Sequence, residues 1–277
     1  MGQNSNISTN YEVVIPTAAK DYNKLQYIVT SLKHLNPQPE EISIVYSDSI
    51  HPIEIGKLHG FRCPDNVNYI DEQQAMPLNK WFATNFRRPP WIYQQFIKLF
   101  NRISKTDYYM IIDSDIILNR KMDVFSNHKP NFFIANDQDH GPYFRYSNNM
   151  FGFGREYPHS FISEIMLFSQ LLTDNLLDVY LQKQYGDSES LTKENRMDVI
   201  EDLYVRTCSV ASEHEIPADY EIYGNFIEKY YPTIYSKVHI KSMLRGYYNE
   251  WNTAEIEKYI DEMQEKDIDT FTLHTWI

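Results

Sequence analysis

The sequence predicts an α/β protein built on a mostly parallel sheet with helices on its faces. Two observations lead there. Short apolar, β-favouring runs alternate with helical patterns through the first half of the chain. One of those runs, Tyr108-Tyr109-Met110-Ile111-Ile112, is apolar at every position, as a strand covered on both faces must be.

The elements follow in order. Tyr11–Ile15 is a first strand, stopped by Pro16-Thr17, and residues 21–34 carry a helical pattern through Tyr22, Leu25, Tyr27–Val29 and Leu32. Ile42–Tyr46 is a second strand ending in Ser47-Asp48, and the stretch VNYIDE is a third. Pro89-Pro90 opens a helix whose apolar positions, from Trp91 to Ile103, make a broad buried face. The Tyr108 strand comes next, then a strand at Phe132–Ala135. Residues 157–210 read as mainly helical, broken by QYGDSES. A helix over ADYEIYGNFIEKYY, a short strand KVHIKS and a last helix TAEIEKYIDEMQE complete the chain, so the C-terminal half is helical in character. No repeat or linker stands out, which predicts a flexible tail over residues 1–10 and one domain over residues 11–277.

Composition excludes several functions. The net charge is −12, whereas a nucleic-acid-binding surface is basic. No apolar run is long enough for a transmembrane helix, and the polar opening MGQNSNISTN lacks the core of a signal peptide. Asn6 also stands where a myristoylation signal needs Ser or Thr. Two distant cysteines, Cys63 and Cys208, fit reduced thiols, and together these features predict a soluble cytoplasmic protein. G-x-G-x-x-G and G-K-[ST] are absent, which removes dinucleotide and P-loop chemistry.

The Tyr108 strand ends in Asp113-Ser114-Asp115. On an extended backbone the two carboxylates share a side, and each raises the cost of ionising the other. A divalent cation removes that cost. Two further D-x-D patterns exist: Asp137/Asp139 also follows an apolar strand and competes, while Asp267/Asp269 lies in a polar stretch and reads as a surface pair.

A first strand ending in Pro-Thr and a D-x-D after a later apolar strand resemble GT-A-fold glycosyltransferases, a Rossmann-related class. WIYQQFIKLF before the D-x-D and DYEIYGNF after it resemble small bacterial and viral members, loosely the xylosyltransferases of large algal viruses, whose location would be the host cytoplasm. The likeness spans most of residues 11–277, with a nucleotide-binding part over about 11–125 and an acceptor-binding part over about 126–277. It implies transfer of a sugar from a nucleoside-diphosphate donor, a UDP-sugar being favoured and UDP-xylose among the candidates, to a glycan hydroxyl. Mn²⁺ or Mg²⁺ would hold the diphosphate as a Lewis acid.

The resemblance makes Asp115 the main metal ligand, with Asp113 on the metal, its bound water or the ribose, and Ser114 between them. His274, in FTLHTW, would close the shell, an imidazole suiting Mn²⁺. Pro16, Thr17 and Asp21 stand where the family grips the nucleotide, although a helix N-cap with a first-turn acid explains Thr17 and Asp21 equally well. Asp48 would accept from uracil or ribose, an exposed turn being the plainer reading. Gln94 and Lys98 share a helix face and would reach the diphosphate; a solvated face is the alternative. Arg87-Arg88 would clamp phosphate. SNNMFGFG, residues 147–154, would be a loop holding sugar hydroxyls through Asn148 and Asn149 and stacking Phe151. Asp219, with Glu221 as its rival, would be the carboxylate base of an inverting transfer, against an ordinary first-turn acid. Trp81, Trp91, Trp251 and Trp276 are the tryptophans worth testing as sugar platforms. The rival functions are a non-catalytic sugar- or nucleotide-binding protein on the same fold and a metal-dependent phosphohydrolase.

Overall fold

The computed structural model describes residues 9–47, 50–82, 84, 86–135, 140–186, 189–243 and 252–274. Asp48, Asp137, Asp139, Trp251, Trp276 and most of the expected tail lie outside them.

A five-stranded sheet organises the molecule. Its strands are β1 (Tyr11–Thr17), β2 (Ile42–Tyr46), β3 (Asn68–Asp71), β4 (Tyr108–Ile112) and β5 (Ile165–Ser169), in the order β5-β4-β1-β2-β3. The first four are parallel, and β5 pairs antiparallel with β4, Ile165 opposite Ile112. The fold class is therefore the expected one. The helices are α1 (Leu25–Ser31), α2 (Pro52–His59), α3 (Pro89–Phe100), α4 (Gly141–Phe151), α5 (Gln170–Tyr185), α6 (Arg196–Val210), α7 (Asp219–Tyr230) and α8 (Thr253–Gln264).

Alternation along each strand divides the core. Val14, Val45, Tyr109, Ile111, Met166 and Phe168 face a layer packed by α3, α4, α5, α6 and α7. Val13, Ile15, Ile44, Met110, Ile112 and Leu167 face a second layer with α1 and α8. All five residues of the Tyr108–Ile112 run except Tyr108 are buried, which is why that run shows no polar alternation.

Several expectations shift. The first strand continues through Pro16 to Thr17, because its pairing with β4 ends at Val14 while its pairing with β2 runs on to Tyr46. Beyond Val14 a proline removes no hydrogen bond to β4. The helix expected over 21–34 is α1 flanked by 3₁₀ turns at Ala19–Lys24 and Leu32–His34. The strand placed at Phe132–Ala135 runs from Lys129 to Ile134 and joins a smaller sheet with Ser236–His239. Within the helical stretch 157–210 the chain inserts β5, whose IMLF reads equally as one turn of a buried helix. Residues 147–151, expected in a loop, complete α4; Phe151 is buried in the core and Asn149 donates to Glu215 at 2.6 Å, so neither is a loop-borne sugar contact.

Candidate functional site

The carboxyl ends of β1, β2 and β4 open together on one edge of the sheet, where ligands of such sheets bind. There lies a cleft of about 520 Å³, within the range of small-molecule sites. Of the expected residues, Pro16, Thr17, Asp21, Arg88, Gln94, Asp113, Ser114, Asp115 and His274 line it, as do Arg87 and Trp91. Lys98, Asp219 and Glu221 do not. Trp81 is 70% exposed and carries Lys80 near its ring.

The D-x-D is a turn and not an extended pair. β4 ends at Ile112, and the Ile116 amide returns to the Asp113 carbonyl at 3.2 Å. Its two carboxylates therefore meet different partners.

Asp115 meets the far end of the chain. A strand at Thr270–Thr272 pairs antiparallel with Ile116–Leu118, and the Leu273 amide donates to the Asp115 carbonyl at 2.6 Å. That ladder sets His274 beside Asp115, Nδ1 at 2.7 Å from Oδ2, with Nε2 3.3 Å from Glu164 Oε1. Burial pulls the His274 pKa down, but hydrogen bonds and charge from Asp115 and Glu164 outweigh it and lift the value to about 10. The imidazolium thus donates from both nitrogens. Burial also raises Asp115, yet the His274 bond and charge, with Lys24 and Lys20, bring it below the usual carboxylate range.

Asp113 meets the helices. Its Oδ1 lies 2.7 Å from Lys98 Nζ and accepts the Tyr220 hydroxyl at 2.8 Å. Lys98 projects from α3 beneath the cleft floor, 3.5 Å from Asp219 and over the Tyr220 ring. Neither the diphosphate contact nor the solvated face read for Lys98 describes this buried side chain, whose stem must lie in the core for its ammonium to reach two carboxylates. Burial raises Asp219 to about 6, Lys98 opposing and Asp113 reinforcing. That value suits a base, but a base must first reach its proton, and Asp219 lies behind the cleft wall. Glu221 is turned elsewhere: it accepts from Ser160 at 2.5 Å and from Asn225 at 3.0 Å, both buried.

Asp21 joins the first turn to the D-x-D. It accepts the Ser114 hydroxyl at 3.2 Å and Lys24 Nζ at 2.5 Å. The cap of the plainer alternative fails, since the cap position of the 3₁₀ turn is Ala18 with no side-chain bond, while Asp21 does stand as its first-turn acid.

Sequence reasoning missed Lys20, Lys80, Glu72 and Tyr93, which also line the cleft. Lys80 pairs with Glu72 at 2.8 Å. Lys80 lies in QQAMPLNKW, which has no motif spacing and reads as loop, and Glu72 is the last residue of VNYIDE, which reads as a strand. Glu164 was missed too, although an acid directly before the apolar IMLF mirrors Asp113 directly after YYMII.

By donor type the corner suits a divalent cation: the Asp115 carboxylate and the His274 imidazole meet at 2.7 Å, a pairing of oxygen and nitrogen that suits Mn²⁺, while Glu164 lies at the ring's other nitrogen. The buried Oε2 of Glu164 has no hydrogen-bond partner among the described residues. Among those residues no group of three His, Cys, Asp or Glu side chains is placed to hold a metal ion. No described helix is long and apolar enough to cross a membrane.

Comparison with solved structures finds similar chain traces in three sugar transferases. The galactosyltransferase LgtC, in complex with donor and acceptor sugar analogues, is 8% identical over 94% of this chain and 86% of its own, with a TM-score of 0.46. Mouse xyloside xylosyltransferase 1, in its apo form, is 12% identical over 95% and 97%, with a TM-score of 0.44. Glucosyl-3-phosphoglycerate synthase from Mycobacterium tuberculosis, in complex with Mn²⁺, UDP and glucosyl-3-phosphoglycerate, is 12% identical over 76% and 81%, with a TM-score of 0.33. Scores below 0.5 at such identities are too low to transfer an activity. No curated protein matches the chain. A family model does: DUF6492, a family of unknown function, matches residues 8–245, and the chain belongs to that family.

Proposed function

We propose that the protein is a glycosyltransferase that binds a nucleoside-diphosphate sugar, a UDP-sugar in the first instance, in this cleft through a divalent cation and passes the sugar to a hydroxyl acceptor. The observation that supports it is the meeting of Asp115 and His274, 159 residues apart, in a cleft that also carries Lys20, Lys80 and Arg88. Acids to hold a cation and bases to face phosphate stand together in one cavity, at the strand ends where the sequence resemblance puts the donor site.

In this reading Asp115 and His274 hold the ion, with Asp113 toward the ribose or a metal-bound water. When bound, Mn²⁺ or Mg²⁺ stabilises the charge growing on the leaving diphosphate. The rest falls to the chain. Thr17 and Asp21 stand beside the nucleotide, Lys80 and Arg88 offer charge to the phosphates, and Gln94 and Trp91 border the opening. Asp219 acts through Lys98, which fixes Asp113, and not on the acceptor proton directly.

The position of Asp219 and Glu221 off the cleft favours a second reading, a nucleotide-sugar-binding protein without transfer. One experiment separates the two. Thermal shift with UDP, GDP and other nucleotides, with and without Mn²⁺, should show a Mn²⁺-dependent rise with UDP. UDP release from a panel of UDP-sugars should then exceed the buffer rate. A Mn²⁺-dependent shift with no UDP release supports the binding protein, and no shift with any nucleotide removes both.

A further inference from the structure

The middle residue of the Asp113-Ser114-Asp115 turn has a partner of its own. Asp113 is tied to α3 and α7, and Asp115 to residues 270–274. Ser114, buried between them, donates its hydroxyl to Asp21 Oδ2 at 3.2 Å. Three consecutive side chains therefore hold three separate parts of the molecule. The third part is the 3₁₀ turn Ala19–Lys24 that follows β1, around which Ala18, Lys20 and Asp21 line the cleft.

Asp21 is engaged on both oxygens. Oδ1 lies 2.5 Å from Lys24 Nζ, and Oδ2 has Lys20 Nζ at 3.7 Å besides the Ser114 hydroxyl. Lys24 is fully buried and Asp21 nearly so. A buried ion pair is weak evidence for stability, because apolar side chains of similar volume fill such a place as well. What this pair supplies is orientation. Side chains three residues apart in a 3₁₀ turn lie one above the other, so the turn itself sets the Lys24 ammonium against Oδ1 and leaves Oδ2 facing Ser114. A buried polar network whose members are paired rigidifies what it holds.

The turn needs such a hold. Ser114 and Asp115 lie between the strands Tyr108–Ile112 and Ile116–Leu118 and belong to neither. Without the Ser114 bond the tip of the turn rests on its two ends alone, one on the helical layer and one on the C-terminal segment. In a reacting site a displacement of about 1 Å can cost about 10²-fold.

We propose that Asp21, held by Lys24, is a positioning residue: through Ser114 it fixes the tip of the turn and with it the Asp115 carboxylate. The inference rests on the cation-dependent reading of the cleft given above. UDP is titrated calorimetrically into each variant with Mn²⁺ and with EDTA, and the readout is the factor by which Mn²⁺ strengthens binding. Ser114→Ala removes the bond and leaves the Asp21–Lys24 pair in place; the factor should fall at least fivefold. Ser114→Thr keeps a hydroxyl and should stay within twofold of wild type. The buried pair is then replaced by Asp21→Leu with Lys24→Met, an exchange that buried ion pairs tolerate. That variant should lose the same factor as Ser114→Ala, and adding Ser114→Ala to it should lose no more, since both changes remove one bond. A bond that only stabilises the fold would lower the melting temperature of Ser114→Ala and leave the factor unchanged, which overturns the assignment. Losses that add would mean that Ser114 and Asp21 act separately, and overturn it as well. Either result leaves the cation-dependent reading standing. A wild type whose UDP binding Mn²⁺ does not strengthen overturns both.

Discussion

Asp113 and Asp115 are two residues apart and belong to different parts of the molecule. Asp113 is tied to α3 and α7 through Lys98 and Tyr220, so its charge is already neutralised by the helical layer. Asp115 is tied to the last residues of the described chain through His274, a partner that can give up its proton. A D-x-D is commonly read as one unit. Here the turn after Ile112 splits it: one carboxylate is tied to the helical layer and the other to the C-terminal segment.

Removing Lys98 should have the largest effect. Lys98→Met leaves the buried Asp219 and the half-buried Asp113 without their cation, and breaking a buried ion pair from one side costs about 3–5 kcal/mol. Urea unfolding should show that loss. A change below about 1 kcal/mol, the scale of an exposed pair, would mean that the helical layer does not hold Asp113 in solution.

Gly224→Ala comes next. Its new methyl group would collide with Phe161, and overpacking of this kind costs typically 1–3 kcal/mol. Urea unfolding of Gly224→Ala should show that loss, and an unchanged stability would mean that Phe161 moves aside at no cost.

A pH series sharpens the Asp113 side. Asp219 has its folded pKa raised from 3.8 to about 6, so the folded state holds a proton that the unfolded chain has released. Stability from this group is therefore complete below pH 3.8 and is lost as pH rises through 6. Relative to Asp219→Asn, wild type should lose on the order of 1–3 kcal/mol across that window. Parallel curves for the two proteins would place the titration elsewhere.

His274→Gln removes the side chain that bridges Asp115 and Glu164. Its consequence should appear in binding, where Mn²⁺ ceases to strengthen UDP binding by tenfold or more. Full Mn²⁺ dependence in His274→Gln would remove the C-terminal segment from the site.

Much of this was legible in the residues. Tyr108–Ile112 announced a strand covered twice, and the acids behind it line the cleft, because a buried strand is apolar throughout and its end faces solvent or ligand. The pairing of His274 with Asp115 followed from the resemblance and not from spacing, since nothing local relates two residues 159 apart. Glu164 was hidden because IMLF, four apolar residues inside a helical stretch, has no period long enough to distinguish strand from helix. Lys98 was misplaced because its helix position gives the direction of Cα–Cβ, while the side chain's reach toward Asp113 and Asp219 depends on where α7 packs. The same ignorance of α7 made Asp219 and Glu221 the candidates for a base, when their helix turns them toward Lys98 and Ser160.

The most direct test is calorimetric titration of UDP into wild type and Asp115→Asn, each with Mn²⁺ and with EDTA. Wild type should bind UDP at least tenfold more tightly with Mn²⁺, and Asp115→Asn should bind weakly and equally in both buffers while melting within a few degrees of wild type. UDP bound by Asp115→Asn with Mn²⁺ as tightly as by wild type would contradict the site, and attention would pass to Asp137 and Asp139.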